Sequence, residues 1–83
     1  MRYIAEVNVM PLKHLPDHQG KEITICARNL ELPEIQTIRA GKHFKLEIEA
    51  NTKEDAMIIV NNVCNKLLCN TSVEGYEFDV KPK

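Results

Sequence analysis

Four switches of hydrophobic period limit what this chain can fold into. From Tyr3 to Val9 the odd positions are Tyr3, Ala5, Val7 and Val9, with Glu6 and Asn8 between them, which is the period of two of a half-buried strand. From Lys21 to Leu30 the apolar residues fall instead at Ile23, Cys26, Ala27 and Leu30, the spacing of a short helix. Period two returns where Phe44, Leu46, Ile48 and Ala50 alternate with His43, Lys45, Glu47 and Glu49. A longer helical stripe follows through Ala56, Ile59, Val60, Val63, Cys64, Leu67 and Leu68. The chain then closes on a strand with Tyr76, Phe78 and Val80 on one face and Glu77, Asp79 and Lys81 on the other.

Two glycine-centred stretches, Leu15–Lys21 and Ile38–Phe44, sit at switch points. Pro11 and Pro16 bracket a loop in which no helix propagates cleanly. Asp17 is placed to accept from free amides at the start of the first helix, and Gly20 permits a tight entry there. Thr24 and Ile25 are weak helix formers, so packing must hold that helix. Pro33 ends the region; the pattern then predicts a strand over Ile35–Arg39 and a hairpin turn through Ala40-Gly41-Lys42, with Gly20 and Gly41 both turn-forming. Thr52 is a good N-cap for the second helix, and Glu54 and Asp55 suit the positive end of its dipole. The resulting order is βαββαβ. Right-handed crossovers then predict a ferredoxin-like α+β two-layer sandwich, with a four-stranded antiparallel sheet and both helices on one face. All of residues 1–83 form a single domain, small enough that self-association would add to its stability.

Composition excludes several functions. Eleven basic against twelve acidic side chains give no basic surplus for nucleic acid. The third strand lacks the outward aromatic platform of an RNA-recognition module, and Glu47 and Glu49 would repel phosphate. No apolar run approaches the roughly 18–20 residues of a membrane span. The N-terminus carries Glu6 and no apolar signal region, which predicts a cytoplasmic chain. Cys26, Cys64 and Cys69 are odd in number and have no CxxC spacing; on a regular helix Cys64 and Cys69 stand about 140° apart. They read as small apolar residues in a reduced compartment. His14 and His18 are separated by Pro16, and no ligand set completes a metal site. Gly20-Lys21 and Gly41-Lys42 lack the full phosphate-loop pattern, and no nucleophile elbow occurs. The polar sheet face, carrying Glu6, Asn8, Lys45 and Glu77 among others, is either solvated or a partner surface.

The order of several short motifs resembles the PurS family, the small subunit of phosphoribosylformylglycinamidine synthase. These are Val9-Met10-Pro11, Asp17-His18-Gln19-Gly20-Lys21, Asn29-Leu30, Ile38-Arg39-Ala40-Gly41-Lys42, Phe44–Glu49, Cys64–Asn70 and Glu74–Phe78. Asn70-Thr71 departs from the family's frequent Asn-Pro, and His18 replaces its common proline, which leaves that loop less rigid. The resemblance implies a chain with no active site and no bound cofactor of its own. It would join a PurL-like synthetase subunit and a PurQ-like glutaminase subunit and help enclose the ammonia route in purine biosynthesis; ATP, Mg and glutamine are used by those partners. It further implies self-association as a dimer or tetramer. Asp17, Gln19, Arg39 and Lys42 are then the candidate partner contacts, with Arg39 and Lys42 suited to a carboxylate or phosphate-bearing loop. The alternative is a small dimeric ligand-sensing regulatory domain of the same fold.

Overall fold

The computed structural model describes residues 1–83. Strand β1 spans Arg2–Pro11, helix α1 His18–Asn29, strand β2 Lys42–Glu49, helix α2 Lys53–Val63 and strand β3 Glu74–Pro82. The sheet has three strands in the order β2-β1-β3, both pairs antiparallel. The expected alternation of β1 is realised: Tyr3, Ala5, Val7 and Val9 are buried and the residues between them are not. Val7 lies at the centre of the apolar face, opposite Phe44 of β2 and Phe78 of β3.

Thr52 caps α2 by accepting from the Asp55 amide at 3.1 Å, with Glu54 and Asp55 in the first turn. Ala56, Val60 and Cys64, four residues apart, are fully buried against the sheet. This stripe is narrower than the apolar pattern suggests, since Ile59 and Leu67 stay exposed. After Val63 the helix widens into a π turn, Cys64–Leu68, closed by the Cys69 amide donating to the Cys64 carbonyl at 3.0 Å. The wider turn brings residues five apart toward one side. Cys64 and Cys69 consequently both enter the core, instead of diverging as a regular helix requires. The Tyr76 hydroxyl donates to Asn61 Oδ1 at 2.5 Å and ties β3 to α2.

Two parts of the four-stranded expectation are overturned. Ile35–Arg39 forms no strand, so the Ala40-Gly41-Lys42 hairpin does not exist and the sheet stops at three. Within Ile35–Arg39 the Ile38 amide donates to Thr24 Oγ1 at 3.0 Å and that of Ile35 to the Leu32 carbonyl at 3.2 Å, and just beyond it the Ala40 amide donates to Asp17 Oδ2 at 2.7 Å. The segment is therefore a strap lashed to α1. Nor do both helices cover one face of the sheet, because no α1 residue joins the sheet's core. Helix α1 buries Gly20, Thr24 and Ala27 and leaves Ile23 and Cys26 exposed; Leu30 at its C-cap is exposed too. Small residues at the spacing i, i+4, i+7 let α1 approach the strap closely.

The C-terminus of α1 supplies a first prediction. Leu32 donates to the Ala27 carbonyl at 3.1 Å and Glu31 to the Arg28 carbonyl at 3.0 Å, a Schellman closure that sets residue 31 in the left-handed region. Glu31 is the one non-glycine residue there, with φ 64°. Glu31→Gly removes the Cβ strain and should stabilise the chain by about 0.5–1 kcal/mol, seen as a higher urea midpoint. A lower midpoint would show that the Glu31 side chain contributes more than its backbone costs.

Candidate partner-contact site

The two glycine-centred stretches meet in space, at the junction of α1, the strap and the end of β1. Asp17 organises that junction. Its Oδ1 accepts from the Gly20 amide at 3.0 Å as the N-cap of α1, and its Oδ2 accepts from the Ala40 amide. The Arg39 guanidinium lies 3.7 Å from the same carboxylate. These amides, that of Gly20 first and that of Ala40 next, hold the Asp17 carboxyl below its ordinary 3.8, with Arg39 adding to the effect. Arg39 also donates to the carbonyls of Leu12 at 3.1 Å, Pro11 at 3.3 Å and Lys13 at 3.4 Å. It thus closes the loop that follows β1 onto the strap. Thr24 completes the junction, donating to the Gly20 carbonyl at 2.7 Å while accepting from Ile38.

The four candidate contacts therefore divide. Asp17 and Arg39 pair with each other and with backbone. Gln19 is exposed on the first turn of α1. Lys42 is exposed at the start of β2 and reaches Glu74 of β3 at 3.7 Å. Gly20 and Gly41 lie close to this junction, and neither has a left-handed φ. Close approach explains them: a Cβ on Gly20 would overlap the Ile38 carbonyl oxygen and the Asp17 carboxylate, and one on Gly41 would overlap the Val9 carbonyl oxygen and Met10 Sδ. The composition gave no signal for Thr24, which looked like a weak helix former. Its i+4 spacing from Gly20 is the trace that marks it in retrospect.

A pH dependence follows from Asp17. Its carboxyl titrates lower in the folded chain than in the unfolded one, so its stabilising contribution is present above about pH 4 and is lost as pH falls through the depressed value. Acidification below that point should loosen α1 from the strap, with amide exchange at Ala40 rising before exchange in the sheet. Asp17→Asn should remove this part of the pH dependence; an identical acid profile in the variant would contradict the assignment.

Chemically the junction positions backbone; it does not prepare a reacting group. Burial pushes the Cys64 and Cys69 thiols up, Cys69 further through Glu74, which makes them poor nucleophiles. The chain brings together no group of three or more His, Cys, Asp or Glu side chains able to hold a metal. No helix is long and apolar enough to cross a membrane. On the open sheet face Glu47 accepts from Lys83 at 2.6 Å and Arg2 at 2.9 Å, and these cations depress its carboxyl. His43 Nδ1 lies 2.7 Å from Asn8 Oδ1.

Fold and junction together define the class: a small α+β protein whose three-stranded sheet carries one packed helix, with a second helix held on a strap. Within that class the chain belongs to the PurS family, since the family model described as PurS, phosphoribosylformylglycinamidine (FGAM) synthase, matches residues 4–82. It is 32% identical over 79 residues to the phosphoribosylformylglycinamidine synthase subunit PurS of Bacillus subtilis, covering 95% of this chain and 93% of that protein. To the subunit PurS of Thermotoga maritima it is 35% identical over 71 residues, 86% of this chain and 87% of that one. Among solved structures it superimposes on a chain of PurLQS from Thermotoga maritima with a TM-score of 0.90 at 31% identity, covering 98% of this chain and 99% of the other. The C2 crystal form of Bacillus subtilis PurS gives a TM-score of 0.87 at 32% identity, covering 95% and 98%.

Proposed function

We propose that this chain is the small, non-catalytic subunit of a phosphoribosylformylglycinamidine synthase acting in purine biosynthesis in the cytoplasm. In this reading it joins a PurL-like synthetase, which uses ATP and Mg, to a PurQ-like glutaminase, and helps carry ammonia from one to the other. The observation that carries the reading is the end-to-end match to a chain of a PurLQS complex, TM-score 0.90 over 98% of the chain.

The shape of the chain supports an assembly role. Its radius of gyration is 16.3 Å, against about 12 Å for a compact domain of this length. Its accessible surface is 6152 Å², against roughly 5,000 Å² for a compact monomer of this mass. Ile23, Ile25, Leu30 and Leu32 of the α1 region are all exposed, as are Ile58 and Ile59 of α2. A chain that leaves so much apolar surface open is completed by other subunits, further copies of itself included. Gln19 and Lys42, exposed on either side of the junction, remain the partner-contact candidates, while Asp17 and Arg39 shape the loop that presents them.

The reading is tested by mixing the chain with the synthetase and glutaminase subunits from the same source and measuring mass by light scattering after size exclusion. A complex containing all three is expected, and Lys42→Glu should weaken it about 10-fold if Lys42 faces a carboxylate. Separate elution of this chain under every nucleotide and glutamine condition would contradict the assembly role.

A further inference from the structure

Cys64 opens the π turn that follows α2 and Cys69 comes directly after it; both thiols are free. On a regular α-helix, residues five apart lie about 8.6 Å from each other at Cα and about 140° apart around the axis. A disulfide needs a Cα separation of about 4.4–6.8 Å, so a continued α2 would keep the two sulfurs apart. The π turn changes both quantities. The Cys69 amide donates directly to the Cys64 carbonyl at 3.0 Å. Residues joined by one such bond along a helix lie about 6 Å apart at Cα, as the i→i−4 pairs of an α-helix do. Both side chains also enter the same apolar cluster, Cys64 with no exposure and Cys69 with 6%. The backbone therefore sets the separation and the common side that a disulfide requires.

We propose that Cys64 and Cys69 form a redox-active dithiol, which closes to an intrachain disulfide when the chain meets an oxidising low-molecular-weight disulfide. This does not depend on the assembly role proposed above.

Cys69 is the entry point. It is the more exposed of the pair, and the three residues after it, Asn70, Thr71 and Ser72, are all exposed. The Cys69 thiolate attacks one sulfur of the small disulfide; a mixed disulfide forms and one small thiolate leaves. Cys64 then loses its proton to solvent and attacks the Cys69 sulfur, and the second small thiolate leaves. The two protein thiols together give up two electrons, the small disulfide takes them, and the two protons end on the released thiols. Burial pushes both protein thiols up. Closure is accordingly slow near neutral pH, and it quickens about tenfold per pH unit while the thiols remain mostly protonated.

Closure would fasten more than the π turn. The Asn70 amide donates to Glu74 Oε1 at 2.9 Å, and the Asn70 carbonyl accepts from the amides of Val73 at 3.0 Å and Glu74 at 2.8 Å. The Val73 carbonyl accepts in turn from the Leu12 amide at 2.9 Å, and Lys42 reaches Glu74 at 3.7 Å. A covalent tie at Cys69 thus steadies the turn that holds the loop after β1. The same turn leads into Glu74, the carboxylate that faces Lys42.

The test uses the full chain carrying Cys26→Ser, which leaves only this pair. Incubation of the folded protein with oxidised glutathione at about pH 8, where some thiolate is present, should lower its mass by two hydrogens with no glutathione retained. Neither thiol should then alkylate after unfolding, and non-reducing denaturing gels should show no linkage between chains. Adding Cys64→Ser should stop the reaction at the Cys69 adduct, heavier by one glutathione. A disulfide that the fold favours also stabilises the fold, so the oxidised chain should unfold at a higher urea midpoint than the reduced one. Amide exchange at Leu12 and Val73 should slow about tenfold on oxidation. Two thiols still free after the incubation, or a lasting glutathione adduct while Cys64 is present, would overturn the pairing. A lower urea midpoint in the oxidised chain would do the same, because the π turn would then resist closure. Unchanged exchange at Leu12 and Val73 would overturn the link to the loop after β1.

Discussion

Replacing Gly20 with valine should release α1 from the strap while leaving the sheet folded. The new Cβ would fall well inside 3.0 Å of the Ile38 carbonyl oxygen and the Asp17 carboxylate. Neither can give way cheaply. The Ile38 carbonyl is backbone, fixed by the neighbouring Ile38 amide on Thr24, and the carboxylate holds two amides and faces Arg39. Overpacking of this kind costs about 2–3 kcal/mol. Because α1 contributes nothing to the sheet's core, the loss should be local. Amide exchange at Ile38 and Ala40 is expected to quicken roughly 30- to 150-fold, with exchange in β1 little changed. Unchanged protection at those two amides would contradict the role given to Gly20.

Val7→Ala should be the most damaging single truncation of the core. Val7 is fully buried in the central strand, between Phe44 and Phe78. The missing methyl groups leave a void between two rings, each held in place by its own strand pairing. Lost transfer energy and the residual cavity together cost about 2–3 kcal/mol, a large share of what so small a domain can have. The urea midpoint should fall sharply with an unchanged slope. A midpoint within experimental error of the parent would mean the rings close the gap, and that the core is looser than its burial implies.

Much of this architecture is legible in the sequence because the core is built on short-range periods. Tyr3, Ala5, Val7 and Val9 declare β1, the alternation from Phe44 to Ala50 declares β2, and Thr52 with Glu54 and Asp55 marks the start of α2. What resists local reading depends on distant partners. Ile35–Arg39 has the composition of a strand, yet Thr24 claims the Ile38 amide and Asp17 that of Ala40 just beyond, and no local pattern announces contacts that long. The buried side of α1 is made of Gly20, Thr24 and Ala27, so a search for large apolar residues selects the wrong face. Cys64 and Cys69 diverge only while the helix is regular, and the π turn is invisible in residue spacing. At the junction the sequence marks Asp17 as a cap but does not reveal that Arg39 answers it. Two residues that read as candidate partner contacts also face each other, 3.7 Å apart.

The central claim, that this chain couples two other activities and has none of its own, is tested most directly by reconstitution. The PurL-like synthetase and PurQ-like glutaminase would be assayed with and without this chain, using glutamine in one series and free ammonia in the other. The account predicts that glutamine-dependent formation of the amidine product requires the chain, while ammonia-dependent formation proceeds without it. Equal glutamine-dependent rates in its presence and absence would contradict the coupling role.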